Sequence, residues 1–311
     1  MKNEPGDACA APGPKKTGAA LPDFLIIGAA KSGTSTLYDY LARHPQIFMS
    51  PIKEPCFFDP HKTWDNGLQW YESLFADAVE GQLCGEASTN YTRWPQVDGV
   101  PGRIARILPN AKLIYLMRHP VDRAYSHYVH RHTKEVYPRQ PFIKTFEEFV
   151  EDDPLCLDSS DYMLQITKYL EVFPREAFLF LFTEDLQAQP GSVIMQVCRF
   201  LGVDDTVDLL ASGKVTANVG ESFRKGRIRQ YTSAPLRRIK IISRIADSLP
   251  KFVRDIGYAV LKFSPYGRRM RKDYSPAPML AETRKRLLKR YRGSILELEN
   301  LTGVSLSHWL G

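Results

Sequence analysis

Phe24-Leu25-Ile26-Ile27-Gly28-Ala29-Ala30-Lys31-Ser32-Gly33-Thr34-Ser35 passes from an unbroken apolar run, through small residues, into the segment Thr34 to Arg43 (TSTLYDYLAR). Four consecutive apolar residues suit a strand buried on both faces, as in a parallel sheet. Leu37 and Leu41 share one helical face, and His44-Pro45 ends that helix. Glycine at 33 lets the backbone come close to an anion. The N–H groups of Ser32, Gly33, Thr34 and Ser35 lie where a helix begins, and the macrodipole there favours negative charge. Lys31 adds an ammonium within the loop. The spacing predicts a strand, an anion-binding turn and a helix; a tight βα turn with a solvated lysine is the plainer alternative.

The alternation continues outward. Helices are predicted over Gly67 to Phe75, Gly102 to Leu108, Val121 to Arg131, Asp161 to Phe173 and Ser192 to Leu201. Strands are predicted over Gln82 to Gly85, Lys112 to Met117 (KLIYLM) and Ala177 to Phe182 (AFLFLF). Strands alternating with helices build parallel βαβ units, so the expected fold is α/β: a P-loop-like, doubly wound parallel sheet flanked by helices. Beyond about residue 215 the chain turns basic and helical, with a lid or cap expected over 220–275 and C-terminal helices over 279–311. Residues 1–21, rich in Ala, Gly, Pro and Lys, read as a disordered leader, which leaves 22–311 as one domain.

The 311 residues carry a formal net charge of +7. That balance favours anionic partners, but no basic stripe with aromatic spacing marks a nucleic-acid binder. Five cysteines (Cys9, Cys56, Cys84, Cys156, Cys198) share no CxxC spacing, so neither a disulfide framework nor a zinc knuckle is expected. No metal-ligand set is evident, and no apolar run has signal-peptide or membrane-spanning length; a cytoplasmic protein is expected. Oligomeric state is not legible.

FLIIGAAKSGTSTLYDYLARHPQI resembles the 5′-phosphosulfate loop of the sulfotransferases that use 3′-phosphoadenosine-5′-phosphosulfate (PAPS), in the variant of heparan sulfate and bacterial carbohydrate-type members. The resemblance implies that Lys31 contacts the 5′-phosphate and the bridging oxygen. LIYLMRHPVDRAYSHY, from Leu113 to Tyr128, is similar to the family's 3′-phosphate motif R-x-P-x-x-R-x-x-S-x-Y. It implies that Arg118 and Ser126 hold the 3′-phosphate; Arg123 is expected in a structural ion pair. A late basic loop resembles the family's nucleotide-closing segment on Arg224, Lys225, Gly226 and Arg227, with a solvated helix start as its alternative.

SPIKEPCFFD, from Ser50 to Asp59, matches the segment whose glutamate is the family's general base, which falls on Glu54. An acceptor hydroxyl is a poor nucleophile near neutral pH and needs a carboxylate to take its proton. Lys53 would support that carboxylate or meet an anionic acceptor; His61 is the competing base, and Phe57 and Phe58 read as core. GEASTNY, from Gly85 to Tyr91, is similar to the family's G-E-x-[ST]-P-x-Y, with Glu86 orienting the loop or the acceptor. It has Ala87 where the heparan-type pattern has lysine, and Thr89 where it has proline, which argues against a heparan-like acceptor.

The resemblance therefore implies metal-free sulfuryl transfer from PAPS to a hydroxyl on a small-molecule, lipid or glycan acceptor. Two other classes compete. One is a nucleotide kinase or NTPase, although its GxxxxGK[ST] order is absent. The other is a non-catalytic membrane-surface protein whose basic segment Ser233 to Phe263 gives peripheral contact.

Overall fold

The computed structural model describes residues 20–135, 144–211, 276 and 278–311. The expected loop 224–227 and lid 220–275, and all but the end of the leader, lie outside them.

Five strands form one parallel sheet: β1 (Phe24–Gly28), β2 (Ile47–Met49), β3 (Leu83–Ala87), β4 (Lys112–Met117) and β5 (Phe178–Phe182). Their order is β2-β3-β1-β4-β5. From β1 the chain crosses to the edge strand β2, returns to β3 beside β1, then passes to β4 on the other side and out to β5, so the switch point lies at the carboxyl end of β1, between β3 and β4. Ligands bind in that crevice of open α/β sheets.

Ten α-helices are described: α1 (Thr34–Leu41), α2 (Gly67–Ser73), α3 (Val100–Ile107), α4 (Pro120–Glu135), α5 (Phe146–Asp152), α6 (Pro154–Asp158), α7 (Tyr162–Leu170), α8 (Thr183–Ala188), α9 (Pro190–Leu201) and α10 (Ala281–Thr302). The period of 2 along each strand sorts its side chains onto two faces. Leu25 and Ile27 of β1, with Leu113, Tyr115 and Met117 of β4, pack against α3, α4, α7 and α10. Phe24, Ile26, Ile114 and Leu116 pack on the opposite face against Leu37 and Leu41 of α1 and Val193 and Val197 of α9. Both faces are covered, which explains why the strands read as continuous apolar runs.

Among the described residues, each strand and helix predicted between 24 and 201 is present within a few residues of its expected ends. The spacing misses β2, which at three residues is too short to show a period, and the short helices α5, α6 and α8. For α5 a signal existed: Thr145 and Glu148 form a reciprocal capping box.

Phe57 and Phe58 are core, as expected; Phe57 stacks on Tyr71 with centroids 4.2 Å apart. Cys56, Cys84, Cys156 and Cys198 are free and buried, and burial pushes the Cys56 and Cys156 thiols up to about 12. Cys84, Cys156 and Cys198 pack within the hydrophobic clusters. Among the described residues, no helix is long and apolar enough to cross a membrane.

Candidate active site

Gly28 ends β1 where nothing larger fits. A Cβ there would lie 2.2 Å from Thr92 Oγ1 and 2.8 Å from the Tyr115 ring. The loop that follows is fixed by its backbone. Ala29 N–H donates to Leu116 O (2.7 Å), and Ser32 N–H folds back to Ala29 O (3.2 Å). Lys31 is left-handed at φ 75°, and so is Gly33 at φ 95°, which caps the N-terminus of α1. A left-handed lysine costs roughly 1–2 kcal/mol and persists only where its surroundings hold it. Thr36 N–H and Leu37 N–H both return to Gly33 O, so the helical bonding of α1 starts at that glycine. No acidic side chain stands in the first turn of that helix to compete for an anion.

Three side chains from distant parts of the chain hold this loop. Thr183, the first residue of α8, has its hydroxyl 2.6 Å from Ser32 O and 2.8 Å from Met117 O. One hydroxyl thus ties the anion loop to the residue just before Arg118. Tyr162 brackets Arg118: its hydroxyl donates to Arg118 O (2.6 Å) and lies 3.2 Å from Arg118 N. His119 N–H donates to Glu184 Oε1 (2.9 Å).

Arg123 is the third. The expected ion pair is not what the structure gives: its guanidinium donates to Ala30 O (3.2 Å), Ser160 Oγ (2.6 Å) and Cys156 O (2.5 Å), all neutral. It is fully buried, and among the described residues no carboxylate pairs with it, so its charge stays beneath the loop. Carbonyls satisfy its donors while leaving a positive field where an anion would bind.

Lys31, Ser32, Gly33, Thr34 and Ser35 after β1 and Arg118 after neighbouring β4 therefore lie at one sheet edge; Ser126 lies in α4, the helix that follows Arg118. Ser32 Oγ is buried with no hydrogen-bonded partner among the described residues, and the Tyr162 hydroxyl is its polar neighbour. An orphaned hydroxyl inside an amide-lined turn suits an anionic oxygen.

Glu54 lies on the other flank of the loop. Its N–H donates to Ala87 O (3.1 Å) at the end of β3, and its exposed carboxylate accepts from Thr89 Oγ1 (3.0 Å). Thr89 replaces the proline of the resembling pattern, and so supplies a donor that proline lacks. Glu54 and Cys56 are both left-handed, at φ 54°. His61 is exposed and bonded through its backbone N–H to Asp59, outside this arrangement. Glu86 does not face an acceptor: it is fully buried and accepts three hydroxyl protons.

Sequence reasoning missed Thr183, Tyr162 and Arg93. Thr183 follows directly on a strongly apolar strand, and the carboxyl end of a parallel strand is itself a site signal. Nothing linear marks Tyr162 or Arg93. Arg93 is partly buried; burial lowers its pKa, and the Glu54 carboxylate nearby opposes that shift. It brings a cation to the Glu54 side.

A glycine-bearing turn, helix amides and a flanking arginine at the switch point of a parallel sheet define a P-loop-like α/β protein. Residues 21–223 match the sulfotransferase domain, and the chain belongs to that family. Over 207 residues it is 32% identical to bifunctional heparan sulfate N-deacetylase/N-sulfotransferase 3 of Homo sapiens, which covers 61% of this chain and 23% of that one. Over 192 residues it is 33% identical to the human heparan sulfate glucosamine 3-O-sulfotransferase 3B1, covering 59% and 46%. The chain thus spans less than half the length of either relative. A crystal structure of a sulfotransferase from Alicyclobacillus acidocaldarius shares the fold, with TM-score 0.64 at 24% identity, covering 93% of this chain and 99% of that one.

Proposed function

We propose that the protein transfers a sulfuryl group from PAPS to an acceptor hydroxyl, in one in-line displacement at sulfur. The acceptor oxygen forms a bond to sulfur as the bond from sulfur to the bridging phosphate oxygen breaks, and the electron pair stays on adenosine 3′,5′-bisphosphate. Glu54 takes the acceptor's proton. Lys31, the Ser32 hydroxyl and the amides of Gly33, Thr34 and Ser35 stabilise charge on the departing phosphate, while Arg118 and Ser126 hold the 3′-phosphate. Such catalysis rests on positioning and electrostatics. Arg224, Lys225 and Gly226 are assigned by resemblance to closure over the nucleotide.

The observation that carries this reading is the Thr183 hydroxyl, within reach of both Ser32 O and Met117 O. It ties the 5′-phosphate loop to the strand end that bears Arg118, as one doubly phosphorylated nucleotide requires. The strand order β3-β1-β4 then leaves Glu54 on the flank opposite Arg118, where the acceptor would approach. A glycan acceptor is favoured by the heparan sulfate relatives, despite Ala87 in place of a lysine, because Arg93 and exposed Lys53 supply cations on that flank.

The test is transfer of label from [35S]PAPS to a panel of desulfated heparan oligosaccharide, a simple hexose and a phenol, with magnesium-ATP binding as the control for an NTPase. Lys31→Ala should lower turnover by about 10²–10³-fold, as for other lost transition-state donors. Glu54→Gln should abolish turnover while leaving bisphosphate affinity intact. Unchanged rates in either variant, or ATP binding in preference to the bisphosphate, would overturn the reading.

A further inference from the structure

The left-handed conformations of Glu54 and Cys56 need an external cause, because each costs roughly 1–3 kcal/mol for a residue with a Cβ. Three bonds from one neighbouring segment supply it. Glu54 N–H donates to Ala87 O (3.1 Å), Cys56 N–H to Ser88 Oγ (2.9 Å), and Phe58 N–H to the Tyr91 hydroxyl (3.3 Å). Two of these acceptors are hydroxyls, and a hydroxyl holds an amide firmly only when its own proton points elsewhere.

Glu86 provides that direction. Ser88 donates to its Oε2 (2.6 Å), and Tyr91 and Tyr71 donate to its Oε1 (2.7 and 2.8 Å). We propose that Glu86 is the positioning residue for Glu54: by accepting the Ser88 and Tyr91 protons, it turns their lone pairs toward Cys56 and Phe58 and so locks the turn that aims the base. Each relay is two bonds long, from Glu86 through Ser88 to Cys56 and from Glu86 through Tyr91 to Phe58. A glutamine would break the polarity. Its amide must donate to one of these hydroxyls, whose proton would then swing toward the backbone N–H it should accept from. Burial raises the Glu86 pKa, and the three hydroxyl donors offset only part of that rise.

This inference rests on Glu54 as the base, and the experiment separates the two. Glu86→Gln, Ser88→Ala and Glu54→Gln are made in the full chain. Amide hydrogen exchange at Cys56 and Phe58, affinity for adenosine 3′,5′-bisphosphate, and kcat and KM on desulfated heparan oligosaccharide are then measured. Exchange at Cys56 should speed at least tenfold in both Glu86→Gln and Ser88→Ala, with bisphosphate affinity within threefold of wild type. For a base displaced by about an ångström, kcat should fall by about 10²-fold. KM should hold, and Ser88→Ala should add little to Glu54→Gln in the double variant. Wild-type protection at Cys56 and Phe58, or wild-type kcat in Ser88→Ala, overturns the positioning role. Wild-type kcat in Glu54→Gln instead overturns the base, leaving the exchange result to judge the turn. Should Glu86→Gln fail to fold, Ser88→Ala, which removes one hydroxyl, decides alone.

Discussion

Replacing Thr183 with valine removes one buried hydroxyl and keeps the shape of the side chain. That hydroxyl has a single proton to share between Ser32 O at 2.6 Å and Met117 O at 2.8 Å. A neutral hydrogen bond contributes about 0.5–1.5 kcal/mol net, whereas removing one partner and leaving a buried acceptor dry costs about 1–3 kcal/mol. Thr183 is buried, so water cannot readily replace it. The expected loss of stability is therefore about 1–3 kcal/mol, read as a lower urea midpoint with an unchanged slope. Because the same bond joins the two halves of the nucleotide site, affinity for adenosine 3′,5′-bisphosphate should fall about tenfold, roughly 1.4 kcal/mol by titration calorimetry. Thr183→Ser keeps the proton and should recover most of that affinity. A valine variant within about 0.5 kcal/mol of wild type, the range of a featureless surface change, would refute the reasoning if its bisphosphate affinity were also unchanged.

Gly28→Ala should cost about 1–3 kcal/mol through overpacking, with Thr92 Oγ1 only 2.2 Å from the added carbon, and thermal unfolding will show whether it does. Arg118→Lys keeps the charge but loses the fork that meets two phosphate oxygens; bisphosphate affinity should drop about tenfold while stability holds. His127 sets part of the acid limit. Burial and the neighbouring cations Arg123, Arg93 and Arg131 push its imidazole down to about 2, so it stays neutral in the native state. The unfolded chain protonates it near 6.5, so its stabilising contribution is complete above that pH and erodes as pH falls from 6.5 toward 2. The slope is at most about 1.4 kcal/mol per pH unit, and His127→Gln should flatten the stability profile over that window.

How much of this was legible depends on how far apart the partners lie. Lys31, Gly33 and the amides of α1 are within a few residues of one another, so strand, turn and helix follow from local spacing. Arg118 at the end of KLIYLM and Ser126 two turns into the next helix are equally local. The sheet alternation was legible because both faces are covered, which leaves β1, β4 and β5 as unbroken apolar runs. Arg123 shows where linear reading stops. Its position was evident, yet its partners come from two other segments, Ala30 in the loop after β1 and Cys156 and Ser160 at α6, and they turned an expected ion pair into a buried brace.

By itself the sequence determined the anion-binding turn and the parallel α/β core, because backbone conformation and side-chain periodicity are set over short stretches of chain. Tertiary structure alone decided that Thr183, 151 residues beyond Ser32, would join the loop to the end of β4. It also decided that buried Glu86 would take the Ser88 and Tyr91 protons, whose oxygens in turn accept from the Cys56 and Phe58 amides. Hydrogen bonds depend on direction and on who holds the proton, and only the folded chain brings those donors and acceptors into register.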